Sequence, residues 1–243
     1  MNKNNNVNNV NNAPRSSDGS WAKLAKGGLP ISGSEEPFSN FVYGSEQWGK
    51  RNNNCYGFAI DYFKASEKRK LQPGELSKTL KPYDDLTDPK TLKEKTNADL
   101  ATKNHGGYAV SPCVKCKKNY YKIMAFVDKG TDYHWYRQMG DVLIESDGQK
   151  NVNSLAKNIG VNKNQLNSPT NKPAKGDPIL IKAAGLWGHK RGLSELTVLD
   201  ASGKFIKDPR DANRKYDNVN YTTYVGSWCV NANFGKGKSF ACN

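Results

Sequence analysis

From Tyr120 the chain reads YYKIMAFVDKGTDYHWYRQM. Two runs of β-branched and aromatic residues flank a Lys-Gly-Thr turn signal, which predicts two consecutive strands. Upstream, in CYGFAIDYFKASEKRK, Tyr56, Ala59, Ile60 and Phe63 recur at helical spacing. Asn54 is placed to cap this segment, and Lys and Arg crowd its end as the helix dipole favours, so a helix is predicted over 55–70. Gln72-Pro73-Gly74 breaks it, and the Lys/Asp/Pro-rich stretch to residue 100 reads as short helices and loops with a solvated charged face. LWGHKRGLSELTVLD, FIKDPR and TTYVGSWCV read as further short strands joined by turns. One helix followed by mostly antiparallel strands predicts an α+β domain.

Two regions depart from this pattern. Residues 1–36 begin with an Asn tract and continue through Ser, Gly and Pro, which reads as a mobile tail. Residues 142–185 carry VLIE, a helix-like SLAKNIG, a second helical piece NKNQL and a closing PILI. That strand-helix-helix-strand plan lets the end strands pair, so it can be inserted without opening a host built from residues 37–141 and 186–243.

Composition narrows the possibilities. The 243 residues include 37 Lys+Arg against 23 Asp+Glu, a net charge of +14, and mean hydropathy is −0.82. Five Trp, 12 Tyr and 8 Phe argue against global disorder. No apolar run reaches the roughly 18 residues of a membrane span, and the N-terminus carries no hydrophobic secretory core. A cytoplasmic, virion-associated or released protein is therefore expected. The charge fits a polyanionic partner such as nucleic acid, acidic lipid or an anionic wall polymer, or else serves only solubility. Five cysteines without a signal segment suggest a reducing compartment rather than a disulfide framework. Cys113 and Cys116 form a CxxC, but no further ligands at zinc spacing and no thioredoxin-like context accompany it. No metal and no cofactor are expected.

The chemistry-bearing residues are few. Cys55 stands at the first turn of the predicted helix, where unpaired N–H groups favour a thiolate and can serve an oxyanion. The three histidines are His105, His134 and His189, and cysteine nucleophiles generally use an imidazole base. His134 and His189 lie in strands predicted to follow one another in the host.

NCYGFAIDYF, QPG, DYHWYRQ, LWGHKRG, LDASGKFIKDPR and YTTYVGSWCV together resemble a family of papain-like bacterial and viral proteins. That family shows an NCYxxA, HWYRQ, WxHKxG, DxSGxxIxDP pattern and is similar in layout to the NlpC/P60 cysteine peptidases. The resemblance implies a papain-like fold, with the Cys-bearing helix packed on a mostly antiparallel sheet. It makes Cys55 the nucleophile, His134 its base and His189 the group that orients His134. Asp200 and Asp208 are rival orienting groups, since a carboxylate on a following strand does the same work, although Asp208 in KDPR reads rather as a turn residue bonded to its own backbone. The neighbouring Tyr56, Trp135 and Lys190 are the positions expected to touch substrate. The implied substrate is a peptide bond in a peptidoglycan stem peptide. An acyltransferase, deamidase or peptidase acting on host protein, or a non-catalytic binding protein that retains the fold, remains the alternative. This chain departs from the pattern where residues 142–185 separate HWYRQ from WxHKxG. Within that segment, SLAKNIGVNKNQLN...KGDPILI resembles a LysM module, a binder of N-acetylglucosamine polymers. Half of a helix-turn-helix and a plain structural insertion are its alternatives.

Overall fold

The computed structural model describes residues 28–39, 53–62, 70–102, 106–192, 194 and 196–232. The helices are α1 (Cys55–Ala59), α2 (Pro89–Leu100) and α3 (Val152–Ile159). The first six strands are β1 (Phe38–Ser39), β2 (Gly107–Ala109), β3 (Tyr120–Asp128), β4 (Asp132–Gln138), β5 (Val142–Glu145) and β6 (Leu166–Asn167). They are followed by β7 (Pro178–Ile181), β8 (Trp187–Lys190), β9 (Leu196–Thr197), β10 (Lys215–Tyr216), β11 (Val219–Asn220) and β12 (Thr223–Asn231). Six strands form one antiparallel sheet in the order β2-β12-β3-β4-β8-β9, and β1, β5, β7 and β6 form a second. The chain is thus mixed α and β, with mostly antiparallel strands and few helices.

The predicted hairpin forms, with Asp128 opposite Asp132 and the Thr131 N–H closing the turn on the Asp128 carbonyl. β3 is buried from Tyr121 to Val127 because both its faces are covered, and its one charged residue in that run, Lys122, donates to the Pro112 carbonyl. On one face Tyr121, Ile123, Ala125 and Val127 join Trp135 and Trp228 beneath α1 and α2. On the other, Met124, Phe126 and Tyr136 pack with Trp187, Ile206, Tyr216 and Tyr221.

α1 is shorter than the sequence pattern predicts. The Asn54 side chain caps it by accepting the Gly57 N–H, but the helix ends at Ala59. Asp61 adopts a φ of +56°, and its carboxylate is held at 3.2 Å by the buried Arg137. Arg137 also pairs with Glu36 at 3.0 Å and lies over the Tyr121 ring. Residues 63–69 lie outside the described residues. The mobile tail also needs correction at its end. Leu29 is buried and its carbonyl accepts from Gln138, while Ser32 donates to the Tyr120 carbonyl, so residues 28–36 are packed on the host. Residues 1–27 lie outside the described residues.

In the segment 142–185, β5 and β7 pair antiparallel, with Val142 opposite Ile181, so its ends do meet. Leu155 and Ile159 of α3 pack with Phe58, Met139, Leu186 and Val198, making its core continuous with that of the host. The second helical piece is a single 3₁₀ turn, Lys163–Gln165, too short for the recognition helix of a helix-turn-helix. FIKDPR contributes only an isolated bridge between Leu199 and Phe205 instead of a strand.

The cysteine reading is also corrected. Cys116 is joined to Cys229 in β12 by a disulfide across 113 residues of sequence, whereas Cys113 is free and exposed. Cys116 is held by its partner on the sheet, so the CxxC does not act as a pair. Cys242 lies outside the described residues. A non-reducing peptide map is expected to yield one cross-linked peptide containing Cys116 and Cys229. Replacing Cys116 by Ser should lower unfolding free energy by about 2–5 kcal/mol in urea titrations. A map that finds both cysteines alkylated without reduction contradicts the bridge.

Candidate active site

The Asn54 cap fixes Cys55 as the first residue of α1, and Tyr56 packs on Trp135 with ring centroids 5.0 Å apart. This contact brings Cys55 to β4. β8 pairs with β4 only at Tyr136, Arg137 and Gln138, so the preceding β4 residues are unpaired on that side. The Cys55 thiol lies there, donating to the Tyr133 carbonyl at 3.8 Å, and the Trp135 N–H interacts with its sulfur.

The two histidines meet through strand register. His189 lies opposite Tyr136, which places His134 diagonally across from it on the same face. His134 Nε2 and His189 Nδ1 are 2.8 Å apart, and His189 Nε2 is 2.8 Å from the Leu199 carbonyl. A carbonyl only accepts, so His189 carries its proton on Nε2 and leaves Nδ1 as acceptor. His134 must then donate from Nε2, and its Nδ1 keeps a free lone pair. The hydrogen-bond network assigns these tautomers. The His134 ring stacks on Tyr221, centroids 5.0 Å apart, and meets Tyr136 and His189 edge-on.

Electrostatics keep all three groups neutral. Burial pushes the Cys55 thiol up to about 12, and the nearby Asp132 adds to it, outweighing the backbone N–H groups of Trp135, Tyr56 and Cys55. Burial holds His134 well below the usual imidazole range, helped by His189 and the charge of Arg191. Burial likewise lowers His189 to about 4, against the opposing bond to Leu199. The expected helix-start thiolate is therefore replaced by a thiol in its protonated form.

The sequence-derived triad is assembled in part. His134 and His189 are bonded as the resemblance implies, but among the described residues no hydrogen bond joins Cys55 to either imidazole. Period-2 alternation explains this: Trp135 points to the face under α1, while His134 shares the opposite face with Phe126 and Tyr136. Asp200 is not the third group. Its carboxylate is taken up by Ser202, Lys204 and Asn213, and the carbonyl of the preceding residue, Leu199, receives His189 instead. Asp208 is bound to Arg210. The three expected substrate contacts, Tyr56, Trp135 and Lys190, are all buried in the fold. Tyr56 donates to Asp99, Trp135 packs between Tyr56 and Trp228, and Lys190 donates to the Gly192 and Ser194 carbonyls. His105 lies outside the described residues.

Sequence reasoning missed the residues that shape this corner. Tyr221 donates to Asp132 at 2.8 Å, and Tyr133 donates to Gln72 of the Gln-Pro-Gly segment. Asp99 of α2 is fully buried and receives Tyr56, the Gly74 N–H, and both the N–H and hydroxyl of Ser77. It thereby fastens residues 74–77 to α1. The only sequence sign of this role is an aspartate on the apolar side of α2. Neither a protein-family model, nor a curated protein, nor a solved structure matches this chain, so the chemistry rests on the atoms described here.

Two outcomes follow from the electrostatics. Iodoacetamide at pH 7.5 should modify exposed Cys113 much faster than Cys55, with the difference vanishing in denaturant. Peptide mass spectrometry checks this, and equal native rates contradict the burial of Cys55. Because both histidines titrate lower in the folded chain than near 6.5, the unfolded chain binds more protons in that window. Stability should be full above pH 6.5 and fall as pH drops from 6.5 through about 4. Urea midpoints across that range, with His189→Asn showing a flatter profile, provide the check.

Proposed function

We propose that the protein is a cysteine-dependent amide hydrolase of papain-like type, with Cys55 as nucleophile, His134 as base and His189 as orienting group. The observation that carries this reading is the chain His134–His189–Leu199, which leaves His134 Nδ1 unprotonated on the residue next to the one that receives the thiol. The reaction starts from a neutral pair. For reaction the Cys55 thiol must leave the Tyr133 carbonyl and reach His134 Nδ1; as its sulfur bonds to the amide carbonyl carbon, its proton passes to that nitrogen. The resulting imidazolium protonates the leaving amine, the C–N bond breaks and a thioester remains. Water, deprotonated by the same nitrogen, then hydrolyses the thioester and restores the thiol. The N–H groups of Cys55, Tyr56 and Trp135 that act on the sulfur supply donors for the oxyanion. Cys55 is 7% exposed, so the aromatic corner formed by Tyr133 and Tyr221 must open to admit substrate.

A peptide bond in a bacterial wall stem peptide is the proposed substrate. The family resemblance supports it, as do the +14 charge, which suits an anionic wall, and the LysM-like strand-helix-turn-strand order of residues 142–181. The Cys116–Cys229 bridge fits work in an oxidising setting after release. Acyl transfer or deamidation on another protein uses the same three groups and is distinguished by its products.

The raised thiol pKa and burial of Cys55 favour one other reading, a binding protein that keeps the fold without catalysis. Hydrolysis of purified peptidoglycan and of a peptide library decides between them. Cys55→Ala and His134→Ala should each lose about 10⁴-fold or more in kcat/KM, and His189→Ala about 10- to 100-fold. With a neutral pair, the rate should already be level at pH 6.5, stay level to pH 9 and fall only at lower pH as the histidines protonate. Undiminished turnover by Cys55→Ala refutes the assignment, and absence of turnover in the wild type favours the binding protein.

A further inference from the structure

Beyond the histidine pair lies a cleft of about 420 Å³ that the proposed chemistry leaves unused. Arg191, Ser194, Leu196, Thr197, Leu199 and Tyr216 contribute to its walls, together with Asp200 and Ala201. Leu199 belongs to both places: its side of the chain lines the cleft and its carbonyl ends the histidine chain. The guanidinium of Arg191 lies over the Tyr216 ring at 4.5 Å, a stacking that holds its planar fork in place. No carboxylate pairs with Arg191 among the described residues. The nearest candidate in the cleft, Asp200, is committed to three backbone N–H groups and the Ser202 hydroxyl.

The remaining lining suits the same kind of guest. The Thr197 hydroxyl oxygen accepts the Leu199 N–H, leaving its proton to donate, and Ser194 adds a second hydroxyl. Leu196, Leu199 and Ala201 offer an apolar wall for the carbon skeleton. The hydroxyls of Tyr216 and Tyr136 interact without an aligned hydrogen bond, so polar capacity remains beside the cleft. A guanidinium stacked on Tyr216 that has no carboxylate partner among the described residues, with flanking hydroxyl donors, is matched to a carboxylate, which it can bind in the bidentate manner.

We propose that this cleft is a carboxylate-recognition subsite, in which Arg191 takes the carboxylate of an acidic peptide residue and holds that residue beside the histidine pair. Its role as a substrate subsite rests on the hydrolase reading above, but the binding itself does not. The position also has a chemical consequence. The charge of Arg191 opposes protonation of both His134 and His189. A carboxylate seated on Arg191 neutralises that charge and makes His134 a stronger base at the moment a substrate is in place.

The test is binding without turnover. N-acetylglutamate and its neutral counterpart N-acetylglutamine are titrated into the full chain carrying Cys55→Ala, followed by two-dimensional NMR and histidine ring resonances. The acid is expected to saturate, with shifts at Tyr216, Leu199 and the His189 ring, and to bind at least about tenfold more tightly than the amide. Arg191→Gln should remove that preference. Arg191→Lys, which keeps the charge but not the fork, should retain part of it. Equal binding of acid and amide, no binding of either, or an acid preference that survives Arg191→Gln overturns the subsite. Because the protein tested carries no nucleophile, these outcomes are independent of whether the wild-type chain hydrolyses anything.

Discussion

The register between β4 and β8 is the constraint on which the rest of the site depends. With Tyr136 opposite His189, the imidazole two residues earlier on β4 lies on the same face and within hydrogen-bond reach of its counterpart. A slip of one residue puts the two rings on opposite faces and removes the pair. The same register ends the β4–β8 ladder after Tyr136, leaving the main chain of Tyr133 and Trp135 open to the thiol of α1. One alignment therefore sets both the relay and the place of the sulfur. It is secured from outside the two strands, because Trp187 and Tyr136 pack in one apolar layer, and Met139 and Leu186 in another.

Arg137 ties this strand to its surroundings. Being fully buried, it needs counter-charges, and it draws them from Glu36 in the N-terminal segment and from Asp61 just past α1. Those pairs turn the chain after one and a half turns of helix and hold residues 28–36 against the sheet. The helix that carries Cys55 is thus cut short by the charge that anchors it. A five-residue helix brings little macrodipole to its first residue, which accords with a thiol that burial keeps protonated.

Much of the fold was legible in local pattern. The β3–β4 hairpin follows from two β-rich runs around Lys-Gly-Thr, and the Asn54 cap from its position before an apolar helix start. The pairing of β5 with β7 was readable because VLIE and PILI bracket a helix-like stretch. What escaped depended on partners remote in sequence. Nothing near Asp61 announces Arg137, 76 residues away, and nothing near Cys116 announces Cys229. The candidate histidines were legible as residue types, since only three exist, but not their bonding, which is fixed by register. The burial of Tyr56, Trp135 and Lys190 was not legible from their adjacency to Cys55, His134 and His189 along the chain. In a strand or tight helix the next residue points elsewhere, and here it points into the core.

The end of the histidine chain decides what kind of base it can be. A carboxylate in the place of the Leu199 carbonyl favours the imidazolium and, with it, a thiolate partner. A neutral carbonyl fixes the tautomer of His189 and the orientation of His134 but lends far less to a positive ring. Burial pulls in the same direction, since charging either imidazole inside two apolar layers is costly. Under the proposed hydrolase reading, the arrangement suits a base that is charged only briefly, while it holds the thiol proton. On that reading, catalysis depends on stabilising the short-lived imidazolium when substrate is present. The charges near the pair bear on this: Arg191 opposes protonation of both rings, while Asp200 favours it at His189.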